Sequence, residues 1–237
     1  MPTWLVVISY LSIALGIITA AIIAADVIAH PQRMRIMNVV WPVTGLYFPV
    51  IGWWLYRSLG RPMYMDMPAG MHMPMGADMG ARPMQMEKQP FWKIIFVSST
   101  HCGAGCVLGD IIGAPVVFAM GWTLLGTRLF ADYAVEFALA YCFGIAFQYL
   151  AIKSMQKLSA HEAVIGAVKA DTLSLIAYEV GMFGWMAVVY FLLMPAHLLD
   201  PTMAVFWFMM QIGMVLGFMT TYPANWLLVR SGVKSAM

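Results

Sequence analysis

The sequence is poor in charge. Asp, Glu, Lys and Arg together supply 10% of its 237 residues, where a soluble domain carries roughly 25%. Its formal net charge of +2 is too small to suggest a nucleic-acid partner. Cysteine is also scarce: three residues, an odd number, exclude a disulfide framework. No glycine-rich phosphate cradle is present, which excludes a nucleotide-driven pump within this chain. Strand-like alternation is missing too, so a membrane β-barrel does not fit. No basic stretch precedes the first apolar run, which therefore reads as a retained span and not a cleaved leader.

What remains is apolar. Hydrophobic residues make up 62% of the chain, and the mean hydropathy is +0.80. A chain of this kind has the lipid bilayer as its solvent. Six stretches are long enough to cross it as helices, at about residues 4–28, 39–59, 92–125, 130–152, 170–194 and 204–229. The expected fold is all-α, with about six transmembrane helices. An N-terminal two-span hairpin (1–59) is joined through a flexible segment (60–90) to a four-span bundle (91–237). The third stretch is too long for one straight span, and Gly113-Ala114-Pro115 is expected to kink or end it.

With the N-terminus inside, Arg57, Arg61, Arg82, Lys88, Lys93, Lys153, Lys157, Lys169, Arg230 and Lys234 fall on the cytoplasmic side. Only Arg33, Arg35 and Arg128 fall outside. This asymmetry predicts a cell (inner) membrane protein with both termini cytoplasmic.

The joining segment is rich in methionine. Nine methionines lie between Met63 and Met86, while leucine, isoleucine and valine are absent there. Met65, Met67, Met71, Met73 and Met75 alternate with other residues around His72. Thioethers are soft donors suited to Cu(I), whereas hard cations would need oxygen ligands. The segment reads as a metal-capture arm. Methionine standing in for other apolar residues is the alternative.

The third span carries a polar stripe. Cys102, Cys106 and Asp110 recur every fourth residue and share one helical face, with His101 beside them. They lie about 14, 20 and 26 Å along the helix from Lys93, so both thiols come near the bilayer centre. Two thiols and an imidazole suit Cu(I) or Zn²⁺, though buried cysteines also act as small packing residues. A redox dithiol is a third reading, disfavoured because one helical turn suits a disulfide poorly.

Other spans add carboxylates. Glu136 and Glu179 fall inside theirs, and with Asp110 they give the interior an acidity without basic partners, which fits a cation site or proton relay. Asp132 and Asp171 lie nearer span ends, where a carboxylate is cheap and Lys169 can reach beside Asp171. Met182, Met186 and Met214 are the intramembrane methionines positioned to add sulfur ligands. The candidate metal set is thus His101, Cys102, Cys106, Asp110, Glu179, Met182, Met65, Met67, Met71, His72, Met73 and Met75. The candidate relay is Asp110, Glu136, Asp171 and Glu179.

Residues 91–107 and Asp110, with Lys169-Ala170-Asp171, Tyr178-Glu179-Val180-Gly181-Met182 and Tyr222-Pro223-Ala224-Asn225-Trp226, resemble a bacterial membrane family. It is catalogued as domain of unknown function 4396. The resemblance covers about residues 91–237 and implies a four-helix membrane domain with no particular activity. It also implies a recurrent polar set of His101, Cys102, Cys106, Asp110, Asp171, Glu179 and Asn225.

The functional expectation is soft-metal transport or handling, with Cu(I) as the ion. A metallochaperone or a second copy of the chain are the expected partners, and neither nucleotide nor nucleic acid is. A membrane thiol oxidoreductase working with a quinone through Cys102/Cys106, or a non-catalytic assembly subunit, are the alternatives.

Overall fold

A computed structural model describes residues 2–32, 34–61, 90–155, 159–195 and 199–234. The methionines of the joining segment and His72 lie outside the described residues. Seven α-helices are present among those described: α1 (Thr3–Ala29), α2 (Met37–Tyr47), α3 (Ile51–Leu55), α4 (Phe91–Met120), α5 (Arg128–Met155), α6 (Ala160–Val188) and α7 (Ala204–Arg230). Single π-helical turns follow α3 at Tyr56–Gly60 and α6 at Val189–Leu193.

Five of these are long and apolar enough to cross a membrane: α1, α4, α5, α6 with its π-turn, and α7. The regular structure among the described residues is all helical, and the chain is a multi-pass membrane protein. The second expected span is a broken helix. Pro49 cannot donate a backbone hydrogen bond, and Val50 adopts a positive φ of 63°, so α2 stops at Tyr47 and α3 restarts at Ile51. The Gly113-Ala114-Pro115 step does not end α4, which continues to Met120 with Pro115 inside it.

Helix α4 is the centre of the bundle. Its most apolar stretch is 61% buried, against 22% for α1, which presents Trp4, Ile8, Leu11, Ile18 and Ile22 outward. The principal pairings are α4 with α5 and α6 with α7, and α1 packs on α2 and α7. Without water to drive helix association, close backbone approach does the work. A Cβ on Gly105 would lie 2.8 Å from the Gly144 Cα of α5, and one on Gly16 would lie 2.5 Å from the Leu46 carbonyl oxygen.

Two anchors fix the ends. Asp26 of α1 accepts a hydrogen bond from Tyr56 Oη (2.8 Å) and pairs with Arg61 (3.1 Å) and His30 (3.3 Å). At the start of α6, the Ser159 hydroxyl accepts from the Glu162 backbone N–H (3.3 Å) and the Glu162 carboxylate accepts from the Ser159 N–H (3.1 Å). This reciprocal cap begins α6 ten residues before the apolar stretch expected at 170, and it carries Asp171 inward from the helix end.

Candidate functional site

The three stripe residues of α4 point between α5 and α6, where a file of titratable side chains runs along the bundle. Its first member is a network at the end formed by the start of α4 and the end of α7. These termini meet where Phe91 packs edge-on against Trp226, with ring centroids 4.8 Å apart. Cys102 donates to Asp171 Oδ1 across 2.7 Å. The Lys234 ammonium donates to Cys102 Sγ (2.7 Å), Asp171 Oδ1 (3.2 Å) and Asn225 Oδ1 (3.0 Å), with Ser174 Oγ at 3.5 Å. Ser174 donates to Asn225 Oδ1 (2.7 Å), and Asn225 Nδ2 donates to Ser99 Oγ (3.0 Å).

Lys234 reaches this position because α7 ends in a reversing turn. Gly232 takes φ 74°, its N–H bonds the Val229 carbonyl, and the Val233 N–H bonds the Leu228 carbonyl. This is the Schellman arrangement, and the αL residue it needs is supplied by glycine. The chain two residues on is thereby turned back against the bundle, where the Lys234 side chain is fully buried. Burial works against its charge, yet Cys102 and Asp171 more than offset that and hold the ammonium above the usual lysine range.

One turn along α4, Cys106 faces Glu179. Asp110 follows, flanked by Glu179 and Glu136. Among the described residues, neither oxygen of Asp110 has a hydrogen-bond partner, Glu179 has only the Cys106 thiol beside it, and the buried hydroxyl of Tyr178 has no partner. Tyr178 is held in a slot of glycines: a Cβ on Gly103 or Gly217 would sit 3.1 or 3.0 Å from its ring. Tyr47 comes from α2, so the N-terminal hairpin contributes to the same interior.

The far end opens through a small cleft lined by Arg128, Asp132, Tyr133, Glu136, Met186 and Leu199, with room for about one water molecule. Arg128 pairs with Asp132 at 3.4 Å and donates to the Leu199 carbonyl. Tyr133 stacks on Phe183 at 4.1 Å and donates to its carbonyl at 2.5 Å. Glu136 is one turn deeper on α5 than Asp132, so the cleft leads to the buried carboxyls.

The structure thus gathers the four expected relay residues, with Cys102 and Cys106, into one file. His101 makes no hydrogen bond to it: its ring is buried edge-on to Phe147 of α5, centroids 6.3 Å apart, with both nitrogens unpaired, although the charges of Asp171 and Lys234 lie close enough to act on it. Met182 packs against Gly213 of α7, Met186 lines the cleft, and Met214 lines a separate apolar groove beside Gln211. No group of three or more His, Cys, Asp or Glu converges as a ready metal cage among the described residues. Asp171 is not at an exposed interface with Lys169; it is fully buried and paired with Lys234. Asp132 is likewise 6% exposed. Sequence reasoning missed Lys234 and Ser174. The Gly232 signal for a reversing turn after α7 was the available clue to Lys234.

The family pattern described as Domain of unknown function (DUF4396) matches residues 91–234. No curated protein matches the chain, and no solved structure does.

Proposed function

The chain belongs to the DUF4396 family, and from that premise we propose that it carries a monovalent cation across the bilayer, with Cu(I) as the cargo and protons as the exchanged charge. The observation that supports this is the file itself. Cys102, Cys106 and Asp110 run along α4 opposite Asp171 and Glu179 of α6 and Glu136 of α5; Asp110 lacks a partner, and Glu179 has only the Cys106 thiol. A buried carboxyl without a partner is costly unless it holds a proton or a cation. Structural salt bridges would have placed a basic residue opposite each one. Two thiols within the file add the soft donors that favour Cu(I) over alkali ions.

In this reading the broken second helix makes a sixth crossing, both termini face the cytoplasm of the cell membrane, and the methionine-rich segment 60–90 collects or delivers the ion. The thiol-oxidoreductase alternative has less support, because the Cys102 S–H is committed to Asp171 and Cys106 lies a full turn away.

The test is flux in liposomes containing purified protein. Wild type is expected to take up Cu(I) together with a pH change inside the vesicle. Cys102→Ser/Cys106→Ser is expected to abolish Cu(I) uptake, and deletion of 60–90 to weaken Cu(I) capture at low concentration. Uptake no faster than in protein-free liposomes would sink the reading.

A further inference from the structure

We infer that the atoms around Lys234 Nζ form a binding site for a small monovalent cation, and that Lys234 is a tethered competitor for it. Four acceptors surround one point: Cys102 Sγ, Asp171 Oδ1, Asn225 Oδ1 and Ser174 Oγ, at 2.7–3.5 Å from the ammonium nitrogen. They come from α4, α6 and α7, so the set is assembled by the fold and not by one helix. Asn225 is fixed from behind by Ser99, and Ser174 by Asn225. The second oxygen of Asp171 is buried without a partner, so the carboxylate keeps acceptor capacity that the ammonium leaves unused.

The occupant is a side chain on a short turn outside the last helix, not a bundle residue. Its backbone is held by the Gly232 reversal and by hydrogen bonds to the Leu228 carbonyl, so it can leave without any membrane helix moving. A tethered ion competes at high effective concentration. A cation arriving along the file is bound weakly while Lys234 is seated, and Lys234 displaces it on return. The device prevents Cys102 and Asp171 from trapping the ion at the end of its route. Mixed sulfur and oxygen donors accept either a soft Cu(I) or a hard Na⁺, and the two arms of the test separate them.

The site lies on the cation route proposed above and rests on that reading for which ion arrives. Cation affinity is measured on purified full-length protein with Cu(I) and, separately, Na⁺, for wild type and Lys234→Met. If Lys234 holds the site nine-tenths of the time, its removal tightens binding about tenfold. Cys102→Ser in the Lys234→Met background should reverse the Cu(I) gain, and Asp171→Asn the Na⁺ gain. Lys234→Arg, which keeps the charge, should stay near wild type. On unmodified protein, saturating cation should expose Lys234 to an amine-acylating reagent, a readout that requires no variant to fold. Equal affinities in wild type and Lys234→Met, or Lys234 labelling that ignores cation, overturn the inference. Liposome flux of the wild type can still succeed in that case, and an affinity gain without flux would instead refute the transport reading alone.

Discussion

Gly109 and Ala140 bring the backbones of α4 and α5 into direct contact: a Cβ on Gly109 would lie 2.6 Å from the Ala140 Cα. The contact lies one residue before Asp110, so it sets how closely Glu136 of α5 approaches the file. Gly109→Ala is expected to destabilise the protein by about 1–3 kcal/mol through overpacking. Thermal unfolding in detergent reads this. An unchanged melting temperature would mean that the helices are not packed this tightly.

The Asp171–Lys234 pair can be tested by a double-mutant cycle. Asp171→Asn leaves a buried ammonium without its anion and is expected to cost about 3–5 kcal/mol. Adding Lys234→Met should recover much of that loss, because no charge then remains unpaired. Lys234 is held above the ordinary lysine range, so its contribution is complete below that range and fades only as strong base titrates the folded form. Additive single-variant effects would show that the two side chains do not interact.

Asp110 and Glu179 should behave differently. Asp110 has no hydrogen-bond partner among the described residues and Glu179 only the neutral Cys106 thiol, so Asp110→Asn and Glu179→Gln remove no ion pair. Both variants are expected to keep wild-type thermal stability while vesicle flux falls to background. Retained flux would place the cation route elsewhere.

Gly232→Ala addresses the turn that seats Lys234. A Cβ at φ 74° is expected to cost about 1–2 kcal/mol and to shift the terminal turn out of place. Alkylation of Cys102 by a small neutral reagent should accelerate as the lysine leaves its sulfur. Full protection of Cys102 in this variant would count against the turn as the seat of Lys234.

The sequence revealed the elements whose signals are periodic. Cys102, Cys106 and Asp110 could be assigned to one face because four-residue steps nearly complete a helical turn, and Glu136 and Glu179 stood out as carboxylates within apolar runs. Lys234 could not be read this way. Locally it is one more basic residue beyond a span; its burial depends on a left-handed glycine two residues earlier and on Cys102, 132 positions away. The interface option for Asp171 fails for a related reason, while its place in the candidate relay stands: the Ser159 cap starts α6 early, which an apolar run alone does not register. The break at Pro49 was hidden inside an otherwise continuous apolar run. His101 adjoins Cys102 in sequence, but successive helical residues diverge by about 100°, and its ring meets Phe147 instead.

The stripe on α4 also divides the membrane's voltage. Successive members are four residues apart, about 6 Å of rise per step, which is about a fifth of a hydrocarbon core roughly 30 Å thick. A charge passing from Cys102 to Asp110 would cross about two fifths of the potential and exchange about 0.9 kcal/mol with a field of 100 mV. Thiol and carboxyl thus mark off electrical distance along the helix, and under the proposed transport the rate of charge movement would be voltage-dependent.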